Sequence, residues 1–143
     1  MDPAIILPHM STPSPARHRH LRRLGRITTP NVLFFVTFCT ADRRPILANP
    51  TVFALVRDAL GTGPKRYGWQ TSRLVVMPDH VHLFCAPIGQ TPHALSTFIG
   101  GIKKWTARQI VKAIHVNAPV WQHEFFDHLL RSDESYTEKA QYV

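Results

Sequence analysis

Cysteine is scarce in this 143-residue sequence, which holds only Cys39 and Cys85, each inside an apolar run. Two such thiols argue against a disulfide-stapled secreted scaffold and read instead as free, buried side chains in a reducing cytosol. Long apolar runs are missing as well. The best candidate, Val32 to Cys39, is interrupted by Thr37, and it falls far short of the roughly 18 residues that cross a bilayer. The opening MDPAIILPHM carries Asp2, no early basic residue and too short an apolar stretch for a signal peptide. The expectation is a soluble cytoplasmic protein without a membrane partner. No internal repeat is visible.

Acid is the third shortage. Nine Asp and Glu stand against 17 Lys and Arg, giving a formal charge of +8 and a pI of about 10.2, a balance that favours a polyanionic partner. Half of the excess sits in the first thirty residues, where Arg17, Arg19, Arg22, Arg23 and Arg26 face Asp2 alone. Pro3, Pro8, Pro13 and Pro15 block regular structure there. Residues 1–29 therefore read as a basic, flexible Pro/Arg-rich leader, either a solvated tail or an arm that touches a nucleic-acid backbone. Residues 30–143 have the length and the apolar content, 44% over the whole chain, of a single domain with an ordinary core.

Along that domain, Val32 to Thr40 is dense in β-formers and nearly continuous in apolarity, as a strand covered on both faces would be. Asn49-Pro50 supplies an N-cap and first-turn proline for a helix that ends at Gly61. Ser72–Met77 and His80–Ala86 form an antiparallel hairpin about Pro78-Asp79. Thr91-Pro92 repeats the cap-and-proline start, opening a long helix through Ile114 that Gly100-Gly101 could bend. Trp121 to Leu130 returns to strand-like composition, and Ser132-Asp133-Glu134 opens a last helix. Strands and helices in this order predict an α+β fold, an antiparallel β-sheet flanked by helices.

The residues most able to do chemistry are His80 and His82. Strand alternation puts both imidazoles on one face while Val81 and Leu83 point into the core, which makes a rigid two-nitrogen clamp for a metal ion. Paired histidines also occur merely hydrogen-bonded or half-exposed, so the pair alone is a weak signal. Imidazole ligands by themselves suit zinc, manganese, iron or nickel.

The surrounding residues carry more. Met77-Pro78-Asp79-His80-Val81-His82-Leu83-Phe84 resembles the HUH signature of single-tyrosine, IS200-like transposases, and its Met-Pro-acidic-His-X-His form is similar to their REP-associated branch. A second block, VWQHEFFDHLLRSDESYTEKAQYV at 120–143, resembles the family segment whose helix bears the nucleophilic tyrosine, and the matching position is Tyr142. Arg43-Arg44-Pro45 and the helix with Lys103-Lys104 fall in the same order, so the resemblance spans roughly residues 31–143.

The resemblance implies the ferredoxin/RRM-like HUH transposase fold and an endonuclease-ligase acting on single-stranded DNA at hairpins such as REP elements. It implies Tyr142 as nucleophile, a 5′-phosphotyrosine intermediate, and Mg2+ or Mn2+ held by His80 and His82. Tyr67 and Tyr136 are rival nucleophiles; on a helix Tyr136 stands about 240° round from Tyr142. Arg43, Arg44, Lys103, Lys104, Arg108 and Arg131 are the candidate DNA contacts or else an ordinary solvated surface, and Trp121 and Trp105 are either core residues, the commoner case, or rings on which unpaired bases could stack. Whether one chain or a homodimer builds the site is left open.

The sequence departs from the family at its end. The family usually adds a polar ligand about one helical turn beyond the tyrosine and, in the REP-associated branch, an Asn-Pro segment, whereas this sequence stops at Val143. The expectation is a domain truncated at its C-terminus, with the third ligand unassigned among His123, Glu124, Asp127 and His128. That departure keeps two rivals in play: a single-stranded nucleic-acid-binding module of the same fold without catalysis, and a phosphoesterase that uses the histidines and water.

Overall fold

The computed structural model describes residues 32–130. Within them the apolar β-former run becomes strand β1, Leu33–Cys39. The chain then turns through two short 3-10 segments, Ala41–Arg43 and Ile46–Ala48, into helix α1, Pro50–Gly61. The side chain of Asn49 accepts the backbone N–H of Thr51 and Val52, and Pro50 fills the first turn, so this helix starts where its capping chemistry dictates. A short helix α2, Gly63–Tyr67, leads to β2, Trp69–Val76, and β3, His80–Pro87. The long helix α3, Leu95–Ile114, and strand β4, Phe126–Leu130, complete the described fold.

The strands form one antiparallel sheet in the order β2-β3-β1-β4, with β3 and β1 central. Its two faces have different company. On one, Phe34, Val36, Phe38, Val81, Leu83 and Cys85 join Val52, Val56 and Leu60 of α1 and Phe98, Ile99, Ile102 and Ile110 of α3 in the main core. On the other, Phe35, Val75, Phe84 and Leu130 form a second cluster with Met77. Alternation along β3 sends His80 and His82 to this second face. The architecture is thus α+β, as the order of its elements predicted.

Three elements differ from the sequence reading. Thr91-Pro92 does not open α3, which begins at Leu95 after Ala94 with no side-chain cap. The preceding segment is instead tied down by tertiary bonds: His93 donates its backbone N–H to Tyr67 and accepts the indole N–H of Trp69. Trp121 does not begin a strand; it makes an isolated bridge to Thr40, and β4 starts at Phe126. Residues 63–67, where no element was expected between the first helix and the hairpin, form α2 because Pro64 is compatible with the first turn of a helix. Gly100-Gly101 lie within continuous helix. The leader, Arg131 and the expected last helix with Tyr136 and Tyr142 lie outside the described residues.

Candidate active site

β3 pairs with β1 so that Thr37 stands opposite His82 and Cys39 opposite His80. The register brings together a set of polar groups on an otherwise apolar face. The Nε2 atoms of His80 and His82 approach to 3.0 Å, with their rings at 77°. Behind them, Nδ1 of His80 lies 2.7 Å from Oδ1 of Asp79, and Nδ1 of His82 lies 2.7 Å from the Thr37 hydroxyl. Phe35 stacks along the His82 ring at 5.3 Å between centroids, and His80 itself is buried.

Asp79 is anchored in turn. Its Oδ2 accepts a hydrogen bond from Nε of Arg43 at 2.8 Å, and the Arg43 fork also reaches Sγ of Cys39 at 3.4 Å. Asp42 and Arg43 both adopt left-handed backbone conformations, with φ of 55° and 54°. Such consecutive non-glycine residues are uncommon and locally unfavourable, and here the turn brings the guanidinium against Asp79. Burial pushes the Asp79 carboxyl up, yet the hydrogen bonds from Arg43 and His80 outweigh it and hold the group below its ordinary range. An ionised Asp79 accepts the Nδ1 proton of His80, which fixes the tautomer with its lone pair on Nε2. Burial also raises the Cys39 thiol, against the pull of Arg43 and Lys103, so it stays protonated and unreactive.

The lone pair on Nε2 of His80 faces Nε2 of His82, and a Thr37 hydroxyl that donates to Nδ1 of His82 puts the His82 proton on Nε2, in a hydrogen bond between the two rings. The observed 3.0 Å is a hydrogen-bond distance, and it sets both nitrogens side by side on one face of the sheet. Among the described residues no cluster of three or more His, Cys, Asp or Glu completes a metal shell. Of the third-ligand candidates, Asp127 pairs with Val36 and so belongs to the helix-covered face, while His128 pairs with Phe35 on the histidine face.

The expected DNA contacts divide sharply. Lys104 and Arg108 are exposed on α3. Lys103 is buried, its ammonium donating to the backbone carbonyls of His123 and Glu124 at 3.0 and 3.3 Å, and burial lowers its pKa despite nearby Glu124. Arg44 donates to the carbonyls of Ala41, Asn117 and Pro119, tying two loops together. Trp121 is a core residue packed edge-on against Phe38, its indole N–H donated to Thr106 at 2.9 Å, so it leaves no open ring face for a base. Thr37 and Asp79 escaped the sequence reading as partners of the histidines. The available signal for Thr37 was a lone hydroxyl in an apolar strand, but only the register shows which ring it meets.

A match to the family described as transposase IS200 like covers residues 28–142. The chain belongs to the IS200-like transposases. A Haemophilus influenzae relative described as a REP-associated tyrosine transposase is 24% identical over 125 residues, covering 80% of this chain and 69% of that protein. A crystal structure of a Deinococcus radiodurans R1 protein described as a transposase superposes with a TM-score of 0.61 at 24% identity, covering 82% of this chain and 92% of that one. A structure of a REP-associated tyrosine transposase bound to a REP hairpin superposes with a TM-score of 0.59 at 22% identity, covering 78% and 63% respectively. These superpositions establish the transposase fold for the four-stranded sheet and its helices. No helix among the described residues is long and apolar enough to cross a membrane.

Proposed function

We propose that this IS200-like transposase nicks and rejoins single-stranded DNA beside a hairpin, with Tyr142 as nucleophile and Mg2+ or Mn2+ held by His80 and His82. The observation that carries this reading is the pair of Nε2 atoms at 3.0 Å, each ring fixed from behind by Asp79 or Thr37. Family membership supports it, as does the likeness to a transposase solved with a REP hairpin.

A phosphodiester resists attack until charge is withdrawn from its non-bridging oxygens and a nucleophile is held in line. A divalent ion, when bound, supplies that withdrawal and favours the phenolate. The chain's own groups do the rest. Arg43 holds Asp79, Asp79 holds the His80 tautomer, and Thr37 holds His82, so both imidazoles are pre-set and need no reorganisation. The Tyr142 oxygen forms a bond to phosphorus as the bond from phosphorus to the 3′ oxygen breaks, and that oxygen leaves with a proton as a free hydroxyl. The tyrosyl phosphodiester conserves the bond energy, so a 3′ hydroxyl can attack it in reverse and reseal a strand.

Incubation of the chain with a hairpin oligonucleotide and Mn2+ should give a protein–DNA adduct on a denaturing gel, and Tyr142→Phe should remove it. Cleavage that survives in Tyr142→Phe would point to a water-using phosphoesterase. Hairpin binding without adduct or cleavage would leave a binding module of the same fold.

A further inference from the structure

Helix α3 contains Lys103, Lys104, Arg108 and Lys112 and no Asp or Glu. A merely solvated helix face usually carries both signs, since opposite charges four apart support the helix. Here Lys104, Arg108 and Lys112 recur every fourth residue, so exposed cations stand one above the next about 6 Å apart along the axis. Trp105 shares that face, about 60° round from Arg108. It is 39% exposed, the exposed large hydrophobic of the described residues, and joins neither core cluster.

The face has a definite place in the fold. Phe98, Ile99, Ile102, Thr106 and Ile110 turn the other side of α3 into the core, so the cationic face looks away from the sheet, whose far side carries the histidines. One turn before Trp105, Gly101 lets the helix close on Tyr67: a Cβ there would fall 2.0 Å from the phenolic oxygen. Helix α2, with exposed Lys65 and Arg66, is thereby docked beside the start of the row.

We infer that this outer face of α3 is a second binding track for single-stranded DNA, with Trp105 stacking on an unpaired base and Lys104, Arg108 and Lys112 contacting phosphates. The choice of DNA rests on the function proposed above. The chemistry is that of an aromatic stacking platform beside a row of cations, which tolerates any base because every base has a flat face. Its separation from His80 and His82 by the sheet means that it grips a stretch of strand other than the one being cut.

Tryptophan emission reports this directly, because Trp69 and Trp121 are buried and Trp105 is not. Titrating the full chain with a thymidine oligonucleotide, without divalent metal, should quench the emission. Trp105→Ala should abolish the quenching and weaken binding about fivefold or more. Lys104→Gln and Arg108→Gln should each lower the salt dependence of binding by about 0.7 in the log-log slope. The His80→Ala/His82→Ala variant should retain the quenching. Binding that leaves the emission unchanged, or an unaltered affinity in Trp105→Ala, overturns the track. Adduct formation with no Trp105 effect sinks this inference alone; quenching without any adduct sinks the nicking proposal and leaves the track standing.

Discussion

Nε2 of His80 faces Nε2 of His82 at 3.0 Å, although each ring is already hydrogen-bonded at Nδ1. The Thr37 hydroxyl can donate to Nδ1 of His82, which puts the His82 proton on Nε2 facing the His80 lone pair, and a divalent ion held by both nitrogens would take that proton's place. Mn2+ at about one hundred times its dissociation constant should therefore stabilise the fold by about 2.7 kcal/mol. Thermal melts should show this rise in the wild-type chain and its loss in His82→Ala. A His82→Ala variant that gains as much stability from Mn2+ would place the ion elsewhere.

The oxygens behind the rings are unequal. His80 leans on an ionised carboxylate backed by Arg43, whereas His82 leans on a neutral hydroxyl. Charged partners make the stronger hydrogen bond. Asp79→Ala should lower Mn2+ affinity about 10- to 100-fold, Thr37→Val should lower it less, and Thr37→Ser should restore it. Calorimetric titration of the three variants checks the order; equal losses for Asp79→Ala and Thr37→Val would remove the charge argument.

The same carboxylate makes stability depend on acid. The folded Asp79 carboxyl titrates below its reference value of 3.8, held down against burial by Arg43 and His80. A depressed folded pKa contributes stability that is complete above the unfolded pKa and drains away as pH falls through the folded one. In denaturant melts without metal, Asp79→Asn should cost about 1 kcal/mol near neutral pH, the partial exposure of the pair limiting the figure. The gap to wild type should narrow as pH falls from about 5 to about 2. A gap that stays constant would show that the ionised form is not what the fold prefers.

How much of this was legible before the fold depended on whether a signal was local. β1, α1 and the β2–β3 hairpin carry their own evidence in apolar runs, an Asn-Pro cap and a Pro-Asp turn, and the alternation that puts both histidines on one face follows from strand geometry alone. Thr91-Pro92 misled because its capping pattern is local while His93 is held by Tyr67 and Trp69 from elsewhere in the chain. Trp121 could be read as core or as a stacking ring because its charge neighbours are visible in sequence and its bond to Thr106 is not, and the fold makes it core. Lys103 was readable in principle: it falls among Ile99, Ile102, Thr106 and Ile110 on the buried stripe of α3, so its period marked it as inward before any coordinates did.

Gly100 and Gly101 look interchangeable in sequence and should respond oppositely to a single methyl group. Nothing lies within 4 Å of a Cβ built on Gly100, so Gly100→Ala meets only the gain of helix propensity and should stabilise by about 0.5–1 kcal/mol. On Gly101 the same methyl would fall 2.0 Å from the Tyr67 oxygen and 2.6 Å from its ring carbon. Tyr67 packs against His93 and Phe98, so it cannot swing aside without disturbing them. Gly101→Ala should cost about 1–3 kcal/mol, the usual penalty of overpacking. Tyr67→Ala vacates the space, and in that background Gly101→Ala should cost nothing further or become favourable, a non-additivity that denaturant melts of the four chains would resolve. If the two penalties simply add, the close approach of α2 to α3 is not what Gly101 serves.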